Sequence, residues 1–201
     1  MIRILLFTGL MMLLTMPPAA KAQPAVQVEP SYDVQLQLVI GSNDATQKGD
    51  LPAGLGAAAT RQIRSFGFSN HKLASTLLGR VGNNGDFHYK SLTNIFGQEV
   101  DLRSQTFLEW SVNDLRGLPM PKGGPGYQAV GFRFGARVPV VTGQGRDDAG
   151  KPVPVTAFEP IGLTLDRLGL AENTPTLVGT LNLPGAGGTI FLVMTVKAVD
   201  M

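Results

Sequence analysis

The sequence contains no cysteine, and this absence excludes several classes of function. Without cysteine the chain has no disulfides, no thiolate nucleophile and no cysteine-based metal site. The bacterial lipoprotein route, which acylates a cysteine after the signal peptide, is closed as well. Histidine is scarce, with only His71 and His88, and two histidines do not complete a structural zinc site. We therefore predict no metal ligands and no cofactor.

Long hydrophobic runs are also missing. The first apolar run, residues 4–16, is 13 residues long, whereas a membrane-spanning helix needs about 20. The run follows Arg3 and ends before two prolines, and Ala20 and Ala22 then supply small side chains. This arrangement is typical of a cleavable secretory signal peptide. We predict that residues 1–22 are removed, that the protein is periplasmic or secreted, and that the mature chain has no transmembrane segment.

The mature chain lacks an excess of charge of either sign. The full sequence has 17 lysines and arginines against 15 acids, but Arg3 and Lys21 lie in the signal peptide, which leaves 15 of each. A balanced surface gives no reason to expect nucleic acid or an anionic membrane as a partner. The partners predicted are other envelope proteins or further copies of the chain.

Most of the chain alternates between apolar and polar residues with a period of two, which indicates β-strands. Val34, Leu36 and Leu38 show this alternation, and residues 189–199 are apolar on both faces, which is typical of a central or covered strand. Hairpins are predicted for residues 72–81 with 87–92, around Gly82-Asn83-Asn84-Gly85, and for residues 176–183 with 189–199. Loops are predicted for residues 118–126 and 143–151, which are rich in glycine or proline. The remaining alternating positions are Leu108, Trp110 and Val112, then Val130, Phe132, Phe134, Ala136, Val138 and Val140, with Gly131, Arg133, Gly135 and Arg137 on the opposite face.

One helix is predicted at about residues 51–66. Asp50 is the expected N-cap and Pro52 stands in the first turn. The helical spacing and the glycine that follows it support this assignment. The fold class predicted is β-rich α+β, with mainly antiparallel sheets and one helix packed on the sheet, as an extended leader, residues 23–31, and a single domain, residues 32–201. The apolar stripe of the helix consists of Leu55, Ala59, Ile63 and Phe66, and Gly67 ends it, with Arg61 and Arg64 on the solvated face.

No motif predicts catalysis. Gly67-Phe68-Ser69-Asn70-His71 has the start of a nucleophile elbow, but it lacks the closing glycine and follows a helix. Gly150-Lys151-Pro152 has proline where a P-loop needs serine or threonine. Asp147-Asp148 fits ordinary turn chemistry better than a calcium loop. We therefore assign no catalytic, cofactor-binding or metal-binding residue from the sequence.

The end of the chain resembles the closing hairpin of secretin-family outer-membrane channel proteins. Thr176-Leu177-Val178-Gly179-Thr180 is followed by a glycine turn and by Ile190-Phe191-Leu192-Val193-Met194-Thr195, as in that family. The resemblance is confined to residues 176–199, and the repeated ring-building modules of secretins are not found. It implies an assembly component of an outer-membrane machine.

The function predicted is that of an exported, non-enzymatic envelope protein that acts through protein–protein contacts. The first alternative is a periplasmic small-ligand-binding protein, with Trp110, Phe132 and Phe134 around a cavity between sheet and helix. The second is a hydrolase, which a cleft gathering His71 or His88 with carboxylates would favour.

Overall fold

A computed structural model describes residues 29–45, 49–93, 95, 106–119, 124–183 and 188–199. The predicted signal peptide, residues 1–22, lies outside the described residues. The ten strands are β1 (Ser31–Ser42), β2 (Asn70–Gly82), β3 (Gly85–Thr93), β4 (Thr106–Pro119), β5 (Pro125–Ala129), β6 (Phe132–Arg146), β7 (Pro152–Leu165), β8 (Leu168–Ala171), β9 (Thr176–Leu183) and β10 (Gly188–Ala198), and the helical elements are a 3₁₀ turn (Ala53–Leu55) and α1 (Gly56–Arg64).

The strands form two antiparallel sheets. The four-stranded sheet has the order β2-β1-β10-β9, and the six-stranded sheet has the order β7-β6-β4-β5-β8, with β3 paired to β4. The predicted β-rich α+β class with mainly antiparallel sheets is confirmed. Within the described part of the chain, no helix has the length and apolar character that a membrane crossing requires.

The four-stranded sheet is the middle of three layers. One of its faces packs against the six-stranded sheet, where Leu36 and Leu192 meet Trp110 and other buried residues. Its opposite face is covered by α1 through a second, smaller core. The helix is therefore packed on a sheet, as predicted. The second core consists of Val39, Leu55, Ala59, Ile63, Phe191 and Val193.

Strand β10 is central in the four-stranded sheet. It pairs with β1 on one side and β9 on the other. Leu192 faces the core between the sheets, and Phe191 faces the helix. The prediction that a strand apolar on both faces is central or covered is confirmed.

The hairpin predicted for residues 72–81 and 87–92 is wrong. The turn forms, with Asn84 at a φ of 56°, but β2 pairs with β1 whereas β3 pairs with β4. The chain crosses between the sheets here, and the ring of Phe87 packs over Gly79, where a Cβ would collide with it. The turn is tied to both layers: the Asn83 amide donates to Pro30 O (2.9 Å) and the Asn84 amide to Leu115 O (2.8 Å).

The helix begins later than predicted. Neither the 3₁₀ turn nor α1 has a side-chain cap hydrogen bond, so Asp50 is not the N-cap. Gly56, at a φ of 68°, separates the two helical elements. Leu55, Ala59 and Ile63 are buried as predicted, and Phe66 is half-exposed with its ring 5.0 Å edge-on from Phe191.

Both predicted loops are shorter than expected. Leu118 and Pro119 belong to β4 and pair with Gly126 and Pro125 of β5, and residues 120–123 lie outside the described residues. β6 continues to Arg146, so the second turn covers only residues 147–151. Pro119, Pro125 and Pro152 are compatible with these strands because they lie at strand ends, where a missing N–H breaks no ladder bond.

One position of the β6 pattern is also corrected. Val130 is exposed and lies outside the strand, because Gly131 (φ 106°) turns the chain immediately before Phe132. The other buried positions predicted for β6, from Phe132 to Val138, do face the core.

Candidate functional site

The face of the six-stranded sheet that points away from the core carries two adjoining grooves of about 460 and 760 Å³. Lys90, Glu109 and Gly135 line both, and we call the combined depression the outer groove. Two rows of cross-strand neighbours line it. The first row is His88, Ser111, Arg133 and Thr164; the second is Lys90, Glu109, Gly135 and Gly162.

Two neighbouring glycines explain why this face is concave. Gly135 of β6 lies directly opposite Gly162 of β7, so two adjacent strands present no side chain there. A Cβ at Gly162 would lie 3.0 Å from the carbonyl oxygen of Phe134, whereas one at Gly135 would meet only the side chain of Glu109, at 3.4 Å. Side chains of the flanking residues therefore form the walls around a backbone floor.

The walls of the outer groove are charged. Lys90 and Glu109 form an exposed ion pair (Nζ to Oε2, 3.7 Å), and the Lys90 ammonium lies 5.6 Å from the centre of the Phe107 ring. Arg133 and Arg137 are exposed on the same face of β6, on either side of Gly135. Asp166 also lines the larger groove.

The groove meets only part of what the hydrolase alternative requires. It does gather His88 with Ser111, Glu109 and Asp166, and His88 is directly cross-strand from Ser111. However, within the described residues neither His88 nor Ser111 has a side-chain hydrogen bond. An activated serine needs its base within hydrogen-bonding reach, and this arrangement lacks that contact.

His71 lies elsewhere, at the start of β2, and is not a neighbour of His88. It is buried, its ring is 6.4 Å from that of Phe191, and its Nε2 has no partner in the part of the chain described. Burial lowers the pKa of His71, the nearby charge of Arg64 lowers it further, and Asp50 acts in the opposite direction. The sequence alone does not show that His71 and His88 lie apart. The predicted hairpin would have placed their two strands side by side, but β2 and β3 do not pair.

We expect His71 to make the protein less stable in mild acid. Since its pKa is lower in the folded state than in the unfolded chain, the unfolded chain binds more protons, and stability is lost as pH falls below about 6.5. His71→Gln should reduce the drop in melting temperature between pH 7 and pH 5, whereas His88→Gln, at an exposed position, should not. Thermal melts at the two pH values measure this, and equal drops for His71→Gln and the parent protein would refute it.

The described residues contain no group of three or more histidine, cysteine, aspartate or glutamate side chains placed to hold a metal ion. The Asp147-Asp148 pair lies in a turn, where Asp147 Oδ1 accepts from the amides of Ala149 (2.9 Å) and Lys151 (2.8 Å). This is the turn chemistry predicted from the sequence. The aspartate is thus engaged with its own backbone.

The distal part of the β6–β7 hairpin, residues 139–159, is a second candidate surface, which we call the arm. β4 pairs with β6 only as far as Ala136, so among the described residues the two arm strands pair only with each other. Apolar side chains are exposed on both faces. Val153 and Val155 lie on the face that continues the core, and Val141 and Phe158 lie on the groove face.

Prolines limit what the edges of the arm can do. Pro152 and Pro154 lie an even number of residues from Phe158 on β7, and Phe158 lies opposite Pro139 of β6. Residues two apart direct their N–H groups to the same edge, and proline has none. These positions fit the outward-facing sites of the ladder, so each edge lacks some of the donors that an added strand would need. The faces of the arm remain available for contact.

No protein-family model matches the sequence, and no curated protein matches it. Among solved structures, the chain is similar to the InvG secretin domain β-barrel from the Salmonella SPI-1 injectisome NC-base. The match covers 86% of this chain and 64% of that chain, with 10% sequence identity and a TM-score of 0.34. The chain thus spans less than two thirds of that structure. A TM-score of this size establishes neither a shared fold nor a shared function.

The sequence pattern contained part of this site. Arg133, Gly135 and Arg137 were predicted to share the face of β6 opposite the core, and they do. The sequence gives no signal for Gly162, because its role depends on lying opposite Gly135. The sequence does not reveal the arm, because its tip, residues 143–151, has the composition of a loop.

Proposed function

We propose that this protein is an exported, non-enzymatic component of the cell envelope that acts through protein–protein contacts, with the arm as its main contact surface. The observation that supports this proposal is the exposure of Val141, Val153, Val155 and Phe158 on a two-stranded extension. Clustered exposed apolar side chains are typical of interaction sites. The signal peptide predicted at residues 1–22 supports export, and the secretin-like hairpin at residues 176–199 is the reason to propose an outer-membrane machine as the setting.

Contact through the faces of the arm fits better than strand addition at its edges. The prolines remove donors from both edges, whereas the valines lie on a ribbon whose residues are exposed on both sides. The partner, in this proposal, is another envelope protein or a second copy of the chain.

The cavity that the small-ligand alternative places between sheet and helix is not formed by the predicted residues. Trp110, Phe132 and Phe134 are buried in the core between the two sheets, and the helix packs on the opposite face of the four-stranded sheet. These three residues therefore do not face the helix. The outer groove has the volume of a ligand site, but it is open and its walls are charged.

The absence of cysteine makes a direct test possible. Val155→Cys on the arm, labelled in intact cells with a maleimide–benzophenone reagent that does not cross the inner membrane and then irradiated, should give a cross-linked product in the envelope fraction, because the excited benzophenone inserts into C–H bonds of any protein in contact. Leu78→Cys, which is 68% exposed on β2, is the matched control and should give none. Mass spectrometry of the product distinguishes a second copy from another protein.

Two results would contradict the proposal. Equal cross-linking at Val155→Cys and Leu78→Cys would show that the arm has no special role. Labelling of neither variant in intact cells, with both labelled after lysis, would show that the protein is not exported.

A further inference from the structure

Two cations border the floor of the outer groove without a partner. Within the described residues, the side chains of Arg133 and Arg137 take part in no ion pair and no hydrogen bond. By contrast, Lys90 of the same groove forms an ion pair with Glu109. On the other sheet, Arg80 donates two hydrogen bonds to Asp33, of 2.7 and 3.3 Å. The groove therefore offers two free guanidinium groups.

The spacing of these groups is defined by the strand. Arg133 and Arg137 are four residues apart on one face of β6, which at about 3.3 Å per residue is about 13 Å. Gly135 lies midway, with Gly162 beside it, and neither has a side chain. A second extended chain lying over this face has side chains of matching period, so its residues i and i+4 reach the two arginines while residue i+2 lies over the glycines.

We propose that the outer groove binds an extended segment of a partner protein that has carboxylates at positions i and i+4 and an uncharged side chain at i+2. Arginine binds a carboxylate through two parallel hydrogen bonds, which makes it selective for this group. Lys90 pairs with Glu109 (3.7 Å), but the Glu109 side chain also lies beside Gly135, where a Cβ would be 3.4 Å from its Oε1. A carboxylate at i+2 would be repelled there, so the proposed segment is uncharged at that position. Among the described residues that line the groove, Asp166 is the one other carboxylate. It comes two residues after Thr164, which lies opposite Arg133, and it forms no ion pair with Arg133.

The chemistry of the groove favours an acidic peptide over other polyanions. Two free arginines are few for a nucleic acid, whose binding strength depends on many phosphate contacts. Phe107 is the exposed aromatic ring on these walls, and it is already covered by Lys90, which leaves little aromatic surface for stacking a sugar. This inference is independent of the arm and extends the proposed function with the chemistry of a partner.

The probe for this proposal is a fluorescent nine-residue peptide with aspartates at positions 3 and 7 and alanine at position 5. Its control has the same composition with the two aspartates adjacent. Fluorescence anisotropy with the full exported protein should show binding of the first peptide and binding at least about tenfold weaker of the second, since one charge-assisted contact is lost. Binding should weaken as salt is raised.

Variants of the protein separate the groove from general charge. Arg133→Gln and Arg137→Gln should each weaken binding of the spaced peptide by about tenfold or more. Gly135→Leu, which fills the floor and leaves both arginines, should also weaken it. Arg80→Gln on the other sheet is the control for net charge and should bind as the parent does, as should Val155→Cys on the arm.

Three outcomes overturn the inference. The first is equal affinity for the two peptides, which would indicate unspecific attraction. The second is unchanged binding by Arg133→Gln and Arg137→Gln while their melting curves match the parent. The third is binding of a sulfated polysaccharide more tightly than the spaced peptide, which would assign the groove to a glycan.

Discussion

Ending the chain after Leu183 is expected to abolish cooperative folding. This truncation removes β10, which forms the centre of the four-stranded sheet and pairs with β1 from Ser42↔Gly188 to Tyr32↔Ala198. The loss of β10 also removes Phe191 and Val193 from the core under the helix and four residues from the core between the sheets. Both cores would lie open, and β1 and β9 would each lose a neighbour.

Circular dichroism and a thermal melt measure this outcome. The truncated protein should lack a cooperative transition, whereas a chain that ends after Val199 keeps all of β10 and should melt as the parent does. Retention of a cooperative melt by the chain that ends at Leu183 would show that the rest of the molecule is stable without its central strand, which the pairing of β10 does not allow.

Strand β10 also shows which parts of the fold are encoded locally. Its two apolar faces are visible in the sequence, and a strand of this kind needs cover on both sides, which the helix and the six-stranded sheet provide. Leu55, Ala59 and Ile63 follow the same logic, because their spacing produces one apolar stripe and one stripe needs one partner surface. Such predictions depend only on burial and periodicity.

Pairing partners could not be predicted in the same way. Gly82-Asn83-Asn84-Gly85 has the composition of a hairpin turn, yet β2 and β3 enter different sheets. The contact between Phe87 and Gly79 joins the two strands across the sheets, and it exists only once both strands face the common core. Composition fixes that the chain turns at these residues, but tertiary packing decides which strand lies beside which.

The candidate site also has some features that one strand determines and others that depend on how strands pair. Arg133, Gly135 and Arg137 could be placed on one face from alternation alone, since they belong to one strand. The groove exists because Gly162 comes to lie opposite Gly135, and the arm exists because β4 stops pairing with β6 beyond Ala136. Both facts concern register between strands that are distant in sequence.

The alternation along β6 also leads to the second large effect that we expect, a loss of stability on substitution of Phe134. Its side chain is buried between the sheets, beside Trp110 on the neighbouring strand. Phe134→Ala should reduce the free energy of unfolding by about 3–5 kcal/mol, because the lost burial adds to the cost of the cavity. Arg133 precedes it on the same strand but points into the outer groove, so Arg133→Ala should change the free energy of unfolding by no more than about 0.5 kcal/mol.

Urea melts of the two variants compare neighbouring residues on opposite faces of one strand. Equal losses would mean that the groove face of β6 is as closely packed as the core face. A small loss for both would mean that the core between the sheets closes around the missing ring, as happens where a cavity can collapse. Collapse is disfavoured here because Phe134 lies at the junction of β4, β6 and β7, opposite both Trp110 and Leu163. Strands held in a ladder on both sides cannot move towards the vacated space without breaking backbone hydrogen bonds, so the full cost should appear in the melt of Phe134→Ala.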